Sequence, residues 1–248
     1  MNTFSITNGA NTYTFTDIGS LVGFEYPDTR ISIEDVAGDQ SSVYVNGKAG
    51  NRPLSWQAVI HTKENRRDLG KVARPGILKT LKFTTCDEVG ALPALSLQAE
   101  IEINKIVMPY RNGRSVALIE AIAPDWRFYS QTLHAETITT NGDDTVANAG
   151  NEVSDPIFTI TGPATTITIT NLSTGQSFVI SSILALGVVV VDTHSRTVTL
   201  DGVSTFSIFT GDFFKLLAGD NIIEFLVTSG STGATALEVS YRDAYISI

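Results

Sequence analysis

The chain has 248 residues, 42% of them hydrophobic and 17% charged, and a formal net charge of -9. Before residue 146 there are 14 basic against 17 acidic side chains, and from there on only 3 against 9, so the second half lacks the Lys and Arg that displace counterions from a phosphate backbone and is no nucleic-acid clamp. One cysteine, Cys86, excludes an intrachain disulfide, and His61, His134 and His194 lie far apart without metal-ligand spacing, so no metal or cofactor site is expected.

The opening MNTFSITNGANTYTF has no basic stretch ahead of an apolar core and reads as no secretory signal. From Phe4 to Phe15 and from Gly23 to Val45, short β-favouring pieces alternate with Asn-Gly, Pro-Asp and Gly-Asp turn signals. A strand over Leu54 to Ile60 is followed by a polar segment with Thr62 as its N-cap. Leu69, Val72 and Ala73 lie on one side of it, and it stops at Pro75-Gly76. This predicts one helix near 62–73, its interleaved charges forming a solvated or subunit-facing side. LSLQAEIEIN then alternates strictly, as a half-buried strand does. Arg111-Asn112-Gly113-Arg114, between two apolar runs, predicts a hairpin whose Asn-Gly supplies the positive φ angles of a type I′ turn.

Residues 131 to 156 are polar and rich in Thr, Asn, Asp and Gly, and read as a linker, with 136–153 as its body. Short strands follow one another to the end of the chain, separated by Gly-Pro, Thr-Gly, Asp-Gly and Ala-Gly-Asp turns, as in an antiparallel sandwich or barrel. The longest apolar run, Ile183 to Val191, contains Gly187 and is far shorter than the roughly 20 residues that span a bilayer; the chain reads as soluble.

Two clusters invite a catalytic reading. Asp192, His194 and Ser195 sit in DTHSR between Val188–Val191 and Thr197–Leu200, but neighbours in one tight turn splay apart and cannot form a nucleophile-base-carboxylate relay, so the stretch reads as a hairpin bend. Glu100 and Glu102 project from one face of a strand, yet no apolar pocket flanks them to raise either carboxyl, and a glycosidase is the weakest reading. Phosphate-loop, dinucleotide, nucleophile-elbow, zinc and calcium motifs are absent from the sequence. No enzyme is expected. Tyr241 and Tyr245 are expected in core or interface packing, and both tryptophans, Trp56 and Trp126, lie in the first half, which weighs against a sugar-stacking platform in the second.

IAPDWRFYS, at Ile122 to Ser130, and then NAGNEVSDPIFTITGP, ITNLSTGQSF, VVVDTHSRTVTLDG, FFKLLAGDNIIEF and VSYRDAYI, in that order, resemble the distal tail proteins (Dit) of long-tailed, non-contractile bacteriophages. Leu217-Ala218-Gly219 departs from the Pro-Gly commoner there, which touches only a turn. The resemblance is strong from Asn148 onward and weak over residues 1 to 50. It implies a mainly β chain: a tail-tube-like sandwich or barrel with one helix over 1–135, a linker, and a galectin-like antiparallel β-sandwich over 154–248. It further implies a structural virion protein, assembled in the host cytoplasm, whose homo-hexameric ring joins the tail tube protein to the baseplate hub and receptor-binding apparatus. The tape measure and receptor-binding proteins are further implied partners, DNA only passes through the lumen, and no membrane is involved. A ring needs two different patches on each copy, and the hairpin Tyr110, Arg111, Asn112, Gly113 and Arg114 is expected to supply one. A carbohydrate-binding adhesin and a tail-tube or tail-terminator protein are the alternatives.

Overall fold

The computed structural model describes residues 4–25, 29–35, 42–85, 94–109, 114–183, 187–229 and 235–247, with backbone only for 29–35, 42–49, 182–183 and 229. The chain divides into two compact units: Met1–Gln131 with Ile246–Ile248, and Thr132–Tyr245. Both are mainly β with antiparallel strand pairing, and neither closes into a barrel among the described residues.

The first unit runs β1 (Phe4–Asn8), β2 (Asn11–Phe15), β3 (Ile18–Val22), β4 (Thr29–Asp35), β5 (Ser42–Ala49), β6 (Arg52–Ile60), α1 (Lys63–Val72), β7 (Lys79–Thr84), β8 (Ser96–Val107), β9 (Ser115–Ala123) and β10 (Phe128–Ser130). Its main sheet has the order β2-β1-β7-β8-β9-β6-β3, and β4 and β5 form a separate ribbon. The alternating LSLQAEIEIN stretch becomes β8, which buries Leu97, Ala99, Ile101 and Ile103. Its first half pairs with β7 and β10 and its second half with β9, and the β9 pairing carries a register shift between Ile103 and Lys105; a bulge of this kind bends a strand and sharpens its twist. The inner face carries an aromatic cluster, with Phe4 5.3 Å from Trp56, Phe83 5.1 Å from Phe128 and Phe24 stacked on Phe128 at 5.7 Å.

Helix α1 starts where its chemistry allows. The Thr62 hydroxyl accepts from the Asn65 amide at 3.1 Å, Glu64 lies in the first turn and Lys71 in the last, so each charge complements the helix dipole. Leu69 and Val72 are its buried residues, against β1 and β2.

The second unit runs β11 (His134–Ile138), β12 (Gly142–Asn148), β13 (Ile157–Thr161), β14 (Ala164–Asn171), β15 (Gln176–Ile183), β16 (Val188–Asp192), β17 (Thr197–Leu200), β18 (Val203–Ser204), β19 (Phe209–Gly211), β20 (Gly219–Ser229), β21 (Ala236–Tyr241) and β22 (Ala244–Tyr245). Two sheets, β11-β21-β13-β16-β17-β18 and β12-β20-β14-β15-β19, sandwich a core that includes Phe158, Val189, Val198 and Val239 from one sheet and Ile167, Phe178, Ile180 and Phe225 from the other. Asp201 and Gly202, both at positive φ, turn β17 into β18 in the manner of a type I′ hairpin.

The stretch 136–153, expected as a linker, instead carries most of β11 and all of β12, each the outermost strand of one sheet. Ile138 and Val146 enter the core while Glu136, Asp143, Asp144 and Thr145 stay outside it. An edge strand buries little, so its sequence reads as polar connection. Tyr241 and Tyr245, expected in core or interface packing, fall on β21 and β22, and both are buried.

Candidate functional site

The DTHSR bend is built as a turn. The Asp192 carboxylate accepts from the amides of His194 and Ser195 at 2.9 and 3.1 Å, and Arg196 takes a positive φ of 53°. The Ser195 hydroxyl faces Thr197 Oγ1 at 2.9 Å, whereas the His194 Nδ1 faces Asp155 Oδ2 at 3.1 Å. Hydroxyl and imidazole therefore bond to different groups, and the nucleophile-to-base hydrogen bond of an acyl-transfer site is not made here. What sequence reasoning missed is Asp155, whose side chain is only 4% exposed and which is also held by Lys215 Nζ at 3.0 Å. A carboxylate withdrawn from water needs such partners, but they come from 39 and 60 positions away, beyond any local motif.

Glu100 and Glu102 stand on the exposed face of β8, and Glu100 accepts from the Thr80 hydroxyl of the neighbouring strand at 2.8 Å. This is a cross-strand polar pair on a wet face.

The motifs that carry the resemblance hold the second unit together at one end. Asn148, Asn171 and Asn221 are wholly buried. Asn171 donates to the Asn221 side-chain oxygen at 3.2 Å and accepts from the Ser173 amide, closing the I-T-N-L-S-T-G turn. Asn221 also accepts from the Leu217 amide and donates to the carbonyls of Leu217 and Gly219. Asn148 donates to the Glu152 carbonyl and accepts from the amides of Gly150 and Ala244. A Cβ on Gly150 would lie 1.9 Å from the Ala244 carbonyl oxygen, so the NAGNE turn admits only glycine there. The Y-R-D strand end closes the same region: Tyr241 donates to the Ala147 carbonyl, the Arg242 carbonyl accepts from the Ser154 hydroxyl, and Asp243 accepts from the Ala149 amide while facing His134 at 3.1 Å. Burial raises the Tyr241 phenol, and Glu136 and Asp243 add to the effect.

In the first unit, DWRFY forms a comparable clamp. The Asp125 carboxylate accepts from the Arg127 amide, Nε and Nη2 and from the Tyr129 hydroxyl at 2.6 Å. Burial pushes this carboxyl up, but the bonds from Arg127 and Tyr129 outweigh burial and hold it below the usual carboxylate range. Arg52, at the start of β6, is about as buried as Trp56. Its guanidinium lies 4.3 Å above the Phe128 ring, its Nη2 donates to the Ile246 carbonyl, and its Nε and Nη1 find no partner among the described residues. Burial lowers it to about 10, against the opposing pull of Asp125 and Glu25.

Of the expected ring hairpin, Tyr110, Arg111, Asn112 and Gly113 lie outside the described residues. Arg114 is described: it is largely exposed and 3.5 Å from Asp17. Next to it, β9 is apolar on both faces. Ala117, Ile119, Ala121 and Ala123 point into the core, while Val116, Leu118 and Ile122 point out, Val116 being 50% exposed. Register pairing sets Val59 beside Val116 and Val107 beside Leu118 on that outer face, with the Lys105–Glu120 ion pair at 3.1 Å between Leu118 and Ile122. A strand apolar on both sides is the pattern of a strand covered on both sides.

A two-sheet antiparallel sandwich pinned by buried asparagines and a Y-R-D strand end is the second unit's architecture, and this unit matches the family model of the siphovirus-type tail component, C-terminal domain, over residues 149–245. Over the whole length the fold is similar to the SPP1 Dit protein, described as a paradigm of the hub adsorption apparatus in phages that infect Gram-positive bacteria: the TM-score is 0.70 at 12% identity, covering 97% of this chain and 98% of that one. A chain of the phage P2 baseplate in its activated conformation with Ca aligns over the same shares at 10% identity and a TM-score of 0.46. No curated protein matches the chain. The family match is confined to residues 149–245, and the likeness to SPP1 Dit shows a shared fold over the whole chain.

Proposed function

We propose that six copies of this chain close into a ring through the first unit, that the ring connects the tail tube to the baseplate hub, and that the second unit is carried outward as a galectin-like module. The observation that carries this reading is the outer face of β9, where Val59, Val107, Val116, Leu118 and Ile122 form a stripe with no covering layer among the described residues. A soluble β-sheet protein that works alone seldom leaves such a stripe wet. The ends of the stripe differ in charge, with Arg114 near Val116 and Glu25 beside Pro53 and Ile122, which suits a head-to-tail contact where one copy's basic end meets the next copy's acidic end. The fold shared with SPP1 Dit, a hub protein by its description, agrees with a position at the tail tip. Tail tube and hub proteins are then the axial partners, tape measure and receptor-binding proteins further ones, and DNA passes through the lumen in transit. Assembly takes place in the host cytoplasm before incorporation into the virion.

The test is Val116→Glu with Leu118→Glu in the full chain, compared with the parent by light scattering and negative-stain electron microscopy. The parent forms six-fold rings, and the variant stays monomeric with unchanged circular dichroism. Rings that persist in the variant would remove this face from the interface, and a parent that is monomeric at all concentrations would remove the ring.

A further inference from the structure

On one side of the second unit both sheets end in very short strands, β18 in one and β19 in the other, and the chain crosses directly between them through Thr205–Ile208. The crossing is fixed at its roots by the Thr205 amide on the Val198 carbonyl at 2.9 Å and the Phe209 amide on the Phe206 carbonyl at 3.2 Å. It exposes apolar surface that the fold could have covered. Val203 is 70% exposed and Phe206 56%. Phe206 lies 5.5 Å from Phe209 and 5.8 Å from Phe213, which stack on each other at 4.5 Å, so the exposed ring stands on an aromatic base anchored in the core. From Thr197 to Phe214 the only charges are Asp201 and Asp212, both exposed and both acidic.

We propose that this crossing is a docking surface for an extended segment of another protein, one that carries apolar side chains flanked by Lys or Arg. Each of the two sheets ends here in a terminal strand, beside which an extended chain can lie. Phe206, held on its aromatic base, and Val203 are the apolar anchors. The carboxylates at either end of the stretch select basic flanks and turn away acidic ones. A polar sugar would be served by several side-chain donors and acceptors around the ring, whereas here the neighbours Thr205 and Ser207 are short hydroxyls already bonded to each other at 3.2 Å. The surface belongs to the second unit alone and does not rest on the ring.

The test uses the full chain and two fluorescent synthetic peptides with the same Leu-Phe core, one flanked by lysines and one by glutamates, with a panel of cell-wall oligosaccharides alongside. The parent binds the lysine peptide in preference to the glutamate peptide, and more weakly as salt rises. Phe206→Ser and Val203→Ser each weaken binding by about tenfold or more with an unchanged denaturation midpoint. Asp201→Asn with Asp212→Asn narrows the preference between the peptides. Val116→Glu with Leu118→Glu leaves binding untouched, which separates this site from the ring face. The proposal is overturned by no binding to the parent, by equal binding of both peptides, by a Phe206→Ser variant that binds as the parent does, or by an oligosaccharide or a second copy of the chain proving to be what Phe206 holds.

Discussion

Asn171 and Asn221, fifty positions apart, meet side chain to side chain at 3.2 Å with neither reached by solvent. Through Asn221 the contact extends to the Leu217 amide and to the carbonyls of Leu217 and Gly219. A buried polar network of this kind contributes only when every member is satisfied.

Asn221→Leu therefore strands several backbone groups and Asn171 at once. The expected loss is about 3 kcal/mol or more of second-unit stability, read by urea denaturation followed through a probe in that unit. A loss smaller than that of an ordinary surface substitution would mean that water replaces the asparagine without cost.

Asp125 carries a pH dependence. Its carboxyl is held below its usual range when folded, so the stability it contributes is present at neutral pH and is lost as pH falls through the unfolded value of about 4 toward the folded one. Asp125→Asn, which removes the carboxylate charge held by Arg127 and Tyr129, costs about 3 kcal/mol at neutral pH. The gap between parent and variant closes on acidification. A gap that is constant from neutral to acid pH contradicts the ionised clamp.

Val198→Asp places a charge in the centre of the sandwich core, where Val198 is fully buried. Several kcal/mol are lost, and the second unit unfolds while the Trp56 emission of the first stays native. His194→Ala is milder, at about 1 kcal/mol, because Lys215 still holds Asp155; an exposed bend residue without that carboxylate would cost less.

Arg52 makes its link to the second end of the chain testable. Cutting the chain after Gln131 removes the Ile246 carbonyl that Arg52 donates to. The first unit alone is then about 1–3 kcal/mol less stable than within the full chain, and Arg52→Met in the short chain recovers most of the difference by removing the buried charge. No recovery would place the loss elsewhere.

Much of the frame was legible because it is written in local period. Alternation gave β8, and Thr62 with Leu69, Val72 and Pro75 gave α1 almost to the residue. The reading failed at β11 and β12, where each strand has one sheet neighbour and an outer side in water, so Ile138 and Val146 are too few apolar marks to reveal a strand among Thr, Asn and Asp. Asp155 with His194 and Lys215, and the asparagine network, were hidden for a different reason: their partners are far apart in sequence, and the residue types are those of ordinary turns. The face of β9 was visible in SVALIEAIA as apolar residues at odd and even positions alike, but whether such a strand is covered on both sides is decided by its neighbours.

The second unit leaves the first at Gln131–Thr132 and the chain re-enters the first at Ile246, where Arg52 clasps the main chain. In mechanical terms this is a loop stitched at both feet. One foot is the continuous chain at Gln131–Thr132, and the other is the returning chain that Arg52 holds by the Ile246 carbonyl. The first unit's fold therefore draws on chain from both sides of the second, and the second cannot be cut out without unpicking the contact that Arg52 makes.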